Sequence, residues 1–171
     1  SSIAGASDSN IPDYQAGYEK ALTIATSAQS GSNLITQASG MLSGLMGVSL
    51  ESFILDNELC GSVLSSMRSL DIPALANDLE SIKQVIVQDK HFLGEPDTLK
   101  RMNTDFNYPK SVKRISPELW MQEKSNTMLN EASKTLNELL SSKFESHISL
   151  ETLKKIETVF DINLDVINGQ R

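Results

Sequence analysis

The chain has 171 residues, 39% apolar and 22% charged, which is enough for one ordinary domain with a hydrophobic core. Its formal charge of −7 argues against a nucleic-acid partner, because Lys and Arg contacts to phosphate supply most of that affinity. No apolar run approaches the length that spans a bilayer, so we also expect no membrane partner. The single cysteine, Cys60, excludes an internal disulfide and is typical of a reducing compartment, so we expect a cytoplasmic protein.

The first 38 residues predict a strand, a helix and a second strand. Ile3 and Ala4 are the centre of a short apolar stretch, residues 13–28 have helical periodicity, and residues 33–36 have the pattern of a strand. A helical crossover makes two such strands parallel. Parallel strands normally lie within a larger sheet, and little else here has a strand pattern. We therefore expect a mainly α chain with a short parallel βαβ start, cut from the C-terminal part of a longer α/β protein.

The rest of the chain is predicted to be helical after a mobile, glycine-rich apolar loop at residues 39–48. This divides the chain into a terminal βαβ portion, 1–48, and a helical region, 49–171. Ser49 is a plausible N-cap for a helix that runs to Asp71. The helices expected after it span residues 74–89, residues 96–106, residues 116–142 with Ser116 as N-cap and Pro117 in the first turn, and a last segment that starts at Ser149.

Three polar residues, Asp56, Asn57 and Glu58, interrupt the apolar stripe of the helix after Ser49. They have two interpretations: a partly exposed turn of a core helix, or a polar contact to another segment. We favour the exposed turn, because acidic residues are common on the surfaces of helices.

The residues with catalytic potential are few. His91 and His147 are 56 positions apart and neither has a His or Cys partner at helical spacing, so no metal site is predicted. Cys60 falls on an apolar helix face, which favours burial. The cluster Lys110, Lys113 and Arg114 either holds an anion or, as we favour, is a solvated loop with acidic neighbours.

The segment after the first strand is the best candidate for a binding site, because the sites of α/β barrels lie at the carboxyl ends of strands. Its polar side chains either face a pocket or act as turn and cap formers, and the residues leave both interpretations open. The candidates for substrate binding in and just after this segment are Asp8, Asn10, Asp13, Gln15 and Tyr18.

An ordered series of segments resembles the trimethylamine methyltransferase family over roughly residues 1–160. These segments are SDSNIPDYQAGYEKAL, GSNLI, GMLSGLMGVSLESFILDNELCGSVL, HFLGEPDTLKRM and FNYP. The resemblance implies the C-terminal third of a (β/α)8 TIM-type barrel with a helical C-terminal region. It also implies a methanogenesis-related activity, in which a methyl group moves from a methylated tertiary or quaternary amine to a cognate corrinoid protein. The corrinoid (cobalamin) would be carried by that partner, with no cofactor bound directly.

The resemblance adds a reason for the candidate residues. A cationic amine favours carboxylates and aromatic faces, which Asp8, Asp13, Tyr14 and Tyr18 supply. Two strands cannot enclose a substrate, so we expect no activity from residues 1–171 alone. Unpaired strand edges recruit other chains, so we expect a homo-oligomer. The alternative function is a non-catalytic helical protein-interaction module, which would not need the βαβ start.

Overall fold

A computed structural model of the chain describes residues 1–69, 78–88, 91–124, 126–142 and 147–160. Within these ranges the chain is mainly helical with two small sheets. The elements in chain order are β1 (Ser2–Ile3), α1 (Tyr14–Gln29), β2 (Ile35–Thr36), β3 (Met41–Leu42), β4 (Gly47–Val48), α2 (Leu50–Ser66), α3 (Asp78–Val87), α4 (Pro96–Thr104), α5 (Pro117–Gln122), α6 (Met128–Ser141) and α7 (Leu150–Val159).

The contacts divide the chain into two compact units, Ser1–Lys134 and Thr135–Arg171. The first holds both sheets, and the second holds the end of α6 and all of α7. None of the helices in the described part of the chain is long and apolar enough to cross a membrane. The predicted division at residue 48 stays a prediction.

The predicted parallel strand pair is confirmed, although each strand is only two residues long. Ser2 lies opposite Ile35 and Ile3 opposite Thr36 in β1 and β2. Just past the ladder, the Ala4 N–H still donates to the Thr36 carbonyl at 3.3 Å. The Gly5 N–H points to the opposite side of the chain and donates to Thr23 Oγ1 at 3.1 Å, which attaches α1 to the end of β1.

Helix α1 packs on this strand pair through a small apolar core. Asp13 is its N-cap, and Pro12, which could have occupied the first turn, instead precedes the cap. Gly31 follows the helix with φ of +84°, the left-handed conformation in which a glycine commonly ends a helix. Ala4, Ile24 and Val63 form the buried core, against which further side chains pack: Ala25, Ala28, Ile35, Ala38, Leu59 and Cys60.

Residues 39–48, predicted as a mobile loop, form a short antiparallel hairpin. Met41 pairs with Val48 and Leu42 with Gly47 across β3 and β4. Leu42 is buried, which anchors the first strand, and the Ser49 N–H donates to the Gly40 carbonyl at 3.0 Å to close the base. The sequence did not predict this hairpin, because its glycines weaken the alternating apolar pattern of a strand.

Helix α2 begins where it was predicted. The Ser49 hydroxyl accepts the Ser52 N–H at 3.1 Å, as an N-cap does. The helix ends earlier than expected, with Met67 as its C-cap. The predicted end at Asp71 lies outside the described residues.

The helix predicted over residues 116–142 is wrong in one respect, because two helices occupy that range. Ser116 caps α5 as expected, but the chain then leaves helical geometry, with φ of +59° at Lys124. Thr127 Oγ1 accepts the Asn130 N–H at 3.3 Å and so helps to start α6. Lys113 bridges the interruption, with Nζ 3.2 Å from Glu123 and 2.9 Å from Glu131 carboxylate oxygens. At Lys113, the favoured interpretation of a basic loop with acidic neighbours is confirmed.

The remaining predicted helices are present with shifted ends. In the first unit, α3 and α4 lie within the ranges expected for them, apart from residues 74–77 and 89, which are outside the described ones. In the second unit, Ser149 caps α7, and its hydroxyl accepts the Thr152 N–H at 3.2 Å.

Gly40 provides a test of this packing. It is buried with φ of +78°, and a Cβ built there would overlap the ring of Phe53. We predict that Gly40→Ala destabilises the fold by about 2–4 kcal/mol, from left-handed strain plus overpacking. Gly61→Ala is the matched control, because Gly61 lies inside α2 with no atom near its would-be Cβ, and we expect it to stabilise by roughly 0.5–1 kcal/mol. Equal effects of the two variants on thermal unfolding would contradict this packing.

Candidate functional site

The loop after β1 is held from within by two buried serines, Ser7 and Ser9. Ser9 Oγ lies 2.9 Å from Asp13 Oδ1, and the same oxygen accepts the Ala16 N–H at 3.0 Å at the start of α1. These bonds lower the pKa of the Asp13 carboxyl, the Ala16 N–H having the larger effect. Asp13, predicted to bind substrate, is therefore occupied as a helix cap and stays ionised at neutral pH.

Glu19 is the main acceptor beneath this loop. Its Oε2 accepts from the Ser7 hydroxyl at 2.7 Å and from the Asp8 N–H at 2.9 Å, and its Oε1 accepts from Gln15 Nε2 at 2.9 Å. The Ser7 hydroxyl, followed by the Gln15 amide, lowers the pKa of the Glu19 carboxyl. Sequence reasoning missed Glu19. The available signal was its spacing of four residues from Gln15, which places both on one helix face.

Two loops lie side by side where the parallel strands end: residues 7–13 after β1, and residues 40–49 after β2. We call them the paired loops. They are joined by hydrogen bonds from the hairpin tip to the first loop: Ser43 N–H to Ser9 O at 2.9 Å, Gly44 N–H to Ser7 O at 3.0 Å, and Ser43 Oγ with Asn10 Oδ1 at 2.7 Å. The structure therefore gives the two strand ends one continuous polar edge.

Of the five predicted site residues, two support the loop after β1 and two are exposed on it. Asp13 and Gln15 support the loop, the first as a cap and the second as a donor to Glu19. Asp8 and Asn10 are exposed on the paired loops, and Asn10 accepts from the hairpin. The cap and support interpretation therefore holds for Asp13 and Gln15, whereas a binding role for the exposed Asp8 and Asn10 stays a prediction.

The fifth predicted residue, Tyr18, lies on α1 with 59% of its surface exposed. It stacks on Tyr14, with ring centroids 6.4 Å apart and planes inclined by 20°. The two exposed rings form an aromatic face next to the helix N-terminus that Asp13 caps.

Asp56 overturns the favoured interpretation of the acidic triplet in α2. Its side chain is 7% exposed, and its Oδ2 lies 2.5 Å from Nζ of Lys20, which is 1% exposed. The same oxygen accepts the Gly40 N–H at 2.7 Å. A buried charge needs such partners, so this part of the triplet is a polar contact to other segments and not a surface turn.

Glu58 makes a second long-range contact from the same helix. It accepts the Lys110 N–H at 2.9 Å and the Ser111 N–H at 3.0 Å, and it lies 3.2 Å from the Ser111 hydroxyl. The preceding Asn107 donates to Ser62 at 3.0 Å. These bonds attach residues 107–111 to α2, whereas Asn57 is exposed as expected.

A cavity of about 430 Å³ lies between α1, α2 and the start of α6. Its lining is mainly apolar, and its charged groups are Asp13, a predicted site residue, and the Lys20–Asp56 pair. Among the other lining residues are Ala16, Leu55, Leu59 and Met128.

The other side chains with catalytic potential are either exposed or made less reactive by their surroundings. His91 and His147 are exposed. Cys60 is half-buried, and burial, followed by the nearby Asp56 charge, raises the pKa of its thiol, which disfavours the reactive thiolate. Within the described ranges no three His, Cys, Asp or Glu side chains come together as a metal-ligating group.

Comparison with known proteins identifies the family of the chain. The family model of trimethylamine methyltransferase (MTTB) matches residues 1–161. The chain belongs to the trimethylamine methyltransferase family. The resemblance seen in the ordered sequence segments is thereby confirmed over nearly the whole chain.

Three relatives show how much of a family protein the chain represents. It is 31% identical over 125 residues to a glycine betaine methyltransferase of Desulfitobacterium hafniense (72% of this chain, 26% of the relative). It is 28% identical over 163 residues to the trimethylamine methyltransferase MttB of Methanosarcina barkeri strain Fusaro (93% and 32%), and 34% over 119 residues to MttB of Methanosarcina thermophila (69% and 23%). The chain spans about a third or less of the length of these relatives.

The lowered pKa of Glu19 in this family member generates a prediction for acid stability. A carboxyl with a folded pKa below its ordinary 4.5 stabilises the fold above that pH, and the contribution is lost as the pH falls through the folded pKa. We predict that Glu19→Gln destabilises the chain at neutral pH and that its deficit shrinks on acidification to about pH 3. The measurement is urea unfolding across that range.

Ser7→Ala is the companion variant, because it removes the largest cause of the Glu19 shift. It should change the pH dependence in the same direction by a smaller amount. The assignment would be contradicted if the difference in the free energy of unfolding between Glu19→Gln and wild type stayed constant at every pH.

Proposed function

We propose that this chain is the C-terminal region of a methyltransferase that moves a methyl group from a methylated tertiary or quaternary amine to a corrinoid carried by a partner protein. Family membership carries the proposal, and the relatives described above are named as methyltransferases for glycine betaine and trimethylamine. Because the chain spans about a third or less of those relatives, we assign the activity to a longer protein and expect residues 1–171 alone to be inactive.

We place β1, α1 and β2 in a (β/α)8 TIM-type barrel, with a helical C-terminal region beginning at α2. The parallel register of β1 and β2 and the packing of Ile24 of α1 on Ala4 support this placement. In such barrels the active site lies at the carboxyl ends of the strands, on the loops that follow them. The paired loops occupy that position here.

The charge of the paired loops suits a methylated ammonium. Its methyl groups leave a quaternary ammonium no N–H to donate, so negative charge and aromatic faces recognise it. Asp13 and Glu19, whose pKa values are lowered by hydrogen bonds, are both ionised at neutral pH, and Asp8 is exposed in the first of the paired loops. Tyr14 and Tyr18 add exposed aromatic rings nearby.

The residues of this chain would bind and orient, while the cobalt of the partner's corrinoid supplies the group that accepts the methyl. Methyl transfer requires the methyl carbon to be held in line between the amine nitrogen and its acceptor. We assign Asp8 to contact with the ammonium. Glu19, which receives the Ser7 hydroxyl and the Asp8 N–H, holds the backbone that presents Asp8.

We also propose that residues 1–171, taken by themselves, form a homo-oligomer, and that the protein lies in the cytoplasm. Ile3 in β1 is 71% exposed, and Leu34, which directly precedes β2, is 59% exposed. Apolar side chains at an unpaired sheet edge favour association with another chain. The lone Cys60 suits a reducing compartment.

The test is methyl transfer from trimethylamine and from glycine betaine to a cobalamin-loaded corrinoid protein, by the full-length protein that contains this chain. We predict that Asp8→Asn raises KM for the amine by about tenfold, equivalent to about 1.4 kcal/mol, with an unchanged melting temperature. Asp13→Ala is the contrasting variant, because loss of a helix cap lowers stability by about 1 kcal/mol.

Two results would contradict the proposal. A folded wild-type protein that transfers no methyl group from either amine would favour the alternative, a non-catalytic helical interaction module. Unchanged kinetics in Asp8→Asn would remove Asp8 from the binding site and leave the paired loops without a ligand contact.

A further inference from the structure

One carboxylate oxygen in α2 connects three separate segments of the chain. Asp56 Oδ2 accepts from Nζ of Lys20, 36 residues away on α1, at 2.5 Å. It also accepts from the N–H of Gly40, 16 residues away at the base of the hairpin, at 2.7 Å. Asp56 and Lys20 are 7% and 1% exposed, so water does not compete well for these bonds.

A buried ion pair is an expensive way to join two helices. Removing two charges from water costs several kcal/mol per ion, and apolar residues of similar volume often give equal or greater stability. The Lys20–Asp56 pair is therefore poorly explained as a contribution to stability alone. What an apolar pair cannot do is accept the Gly40 N–H, which has no other partner among the described residues.

Both backbone polar groups of Gly40 are hydrogen-bonded. Its N–H donates to Asp56, and its carbonyl accepts the N–H of Ser49, the N-cap of α2. With no Cβ it lies against the ring of Phe53, a position that a larger residue could not occupy. The base of the hairpin is thus attached to α2 at two points.

The tip of the same hairpin carries the contacts to the first loop. The N–H groups of Ser43 and Gly44 donate to the carbonyls of Ser9 and Ser7 at 2.9 and 3.0 Å. Only a few residues separate these amides from Gly40, so a displaced base would displace the tip. A continuous series of contacts then runs from the buried Asp56 to the edge where Asp8 is exposed.

We propose that Asp56 is a positioning residue for the methyl-transfer reaction, which it serves by fixing the hairpin and thereby the geometry of the paired loops. Its catalytic meaning rests on the proposed function, whereas its effect on the hairpin does not. Asp56 itself does not touch the substrate.

Two double variants separate positioning from stability. Lys20→Met with Asp56→Leu removes both charges and the acceptor for the Gly40 N–H. Lys20→Met with Asp56→Asn also removes both charges but retains an amide oxygen that can accept it. Neither leaves a buried charge unpaired, so both are expected to fold. Lys155→Met, which breaks the exposed Lys155–Glu151 pair, controls for loss of a surface charge.

The first measurement is amide hydrogen exchange at Gly40, Ser43 and Gly44 in the full-length protein. We expect exchange about tenfold faster in the Leu double variant than in the Asn double variant, as for the loss of one hydrogen bond. Melting temperatures of the two should be similar. Equal exchange in the two variants would overturn the proposal, as would faster exchange spread evenly over α1 and α2.

The second measurement is methyl transfer by the same proteins. Displacement of the loops by about 1 Å is expected to lower kcat by up to about 100-fold in the Leu variant, with most of the rate restored in the Asn variant. Equal kcat values in the Leu and Asn double variants would overturn the proposal that Asp56 positions the loops for methyl transfer. If the wild type transfers no methyl group, the proposed function fails, while hydrogen exchange still decides whether Asp56 fixes the hairpin.

Discussion

A carboxylate removed from water has to be met by donors, and the two donors that meet Asp56 come from distant segments. One is the ammonium of Lys20 on α1 and the other is the N–H of Gly40 at the base of the hairpin. This constraint determines where α1, α2 and residues 40–49 lie relative to one another within the first unit. The core of Ala4, Ile24 and Val63 is too small to specify that arrangement by shape alone.

The polar network above this pair gives the strand ends their form. Two serines, a glutamate and the hairpin tip together satisfy the backbone of residues 7–13, which would otherwise be an exposed loop. The pKa values of Asp13 and Glu19 fall because hydrogen bonds favour their ionised forms. The same bonds that order the edge therefore favour its negative charge, which suits the cationic substrate that we propose.

Local features of the fold were predictable from sequence. Ser49, Ser116 and Ser149 each cap a helix as expected, because a cap depends on the three residues that follow it. The parallel strand pair also followed from the order of apolar segments. Helix ends were predicted less accurately, and the break after Gln122 was not predicted. These features depend on contacts between segments, such as those of Lys113.

The parts of the site that were missed depend on distant partners. Asp56 and Glu58 have the spacing of surface residues on α2, and their partners lie 16 to 53 positions away in sequence. The hairpin was missed because its glycines weaken the strand pattern and because its tip is held by distant carbonyls of the first loop. The ordered family segments, in contrast, led from sequence to the correct family, because such a series does not require knowledge of contacts.

The central claim is that the edge formed by the paired loops faces the methylated amine. The most direct measurement is a crystal structure of the full-length protein with a non-reactive quaternary ammonium bound. We predict the ammonium nitrogen within about 6 Å of the Asp8 carboxylate or of a tyrosine ring on α1. An ammonium bound away from residues 7–13 and 40–49 and from both tyrosine rings on α1 would contradict the account.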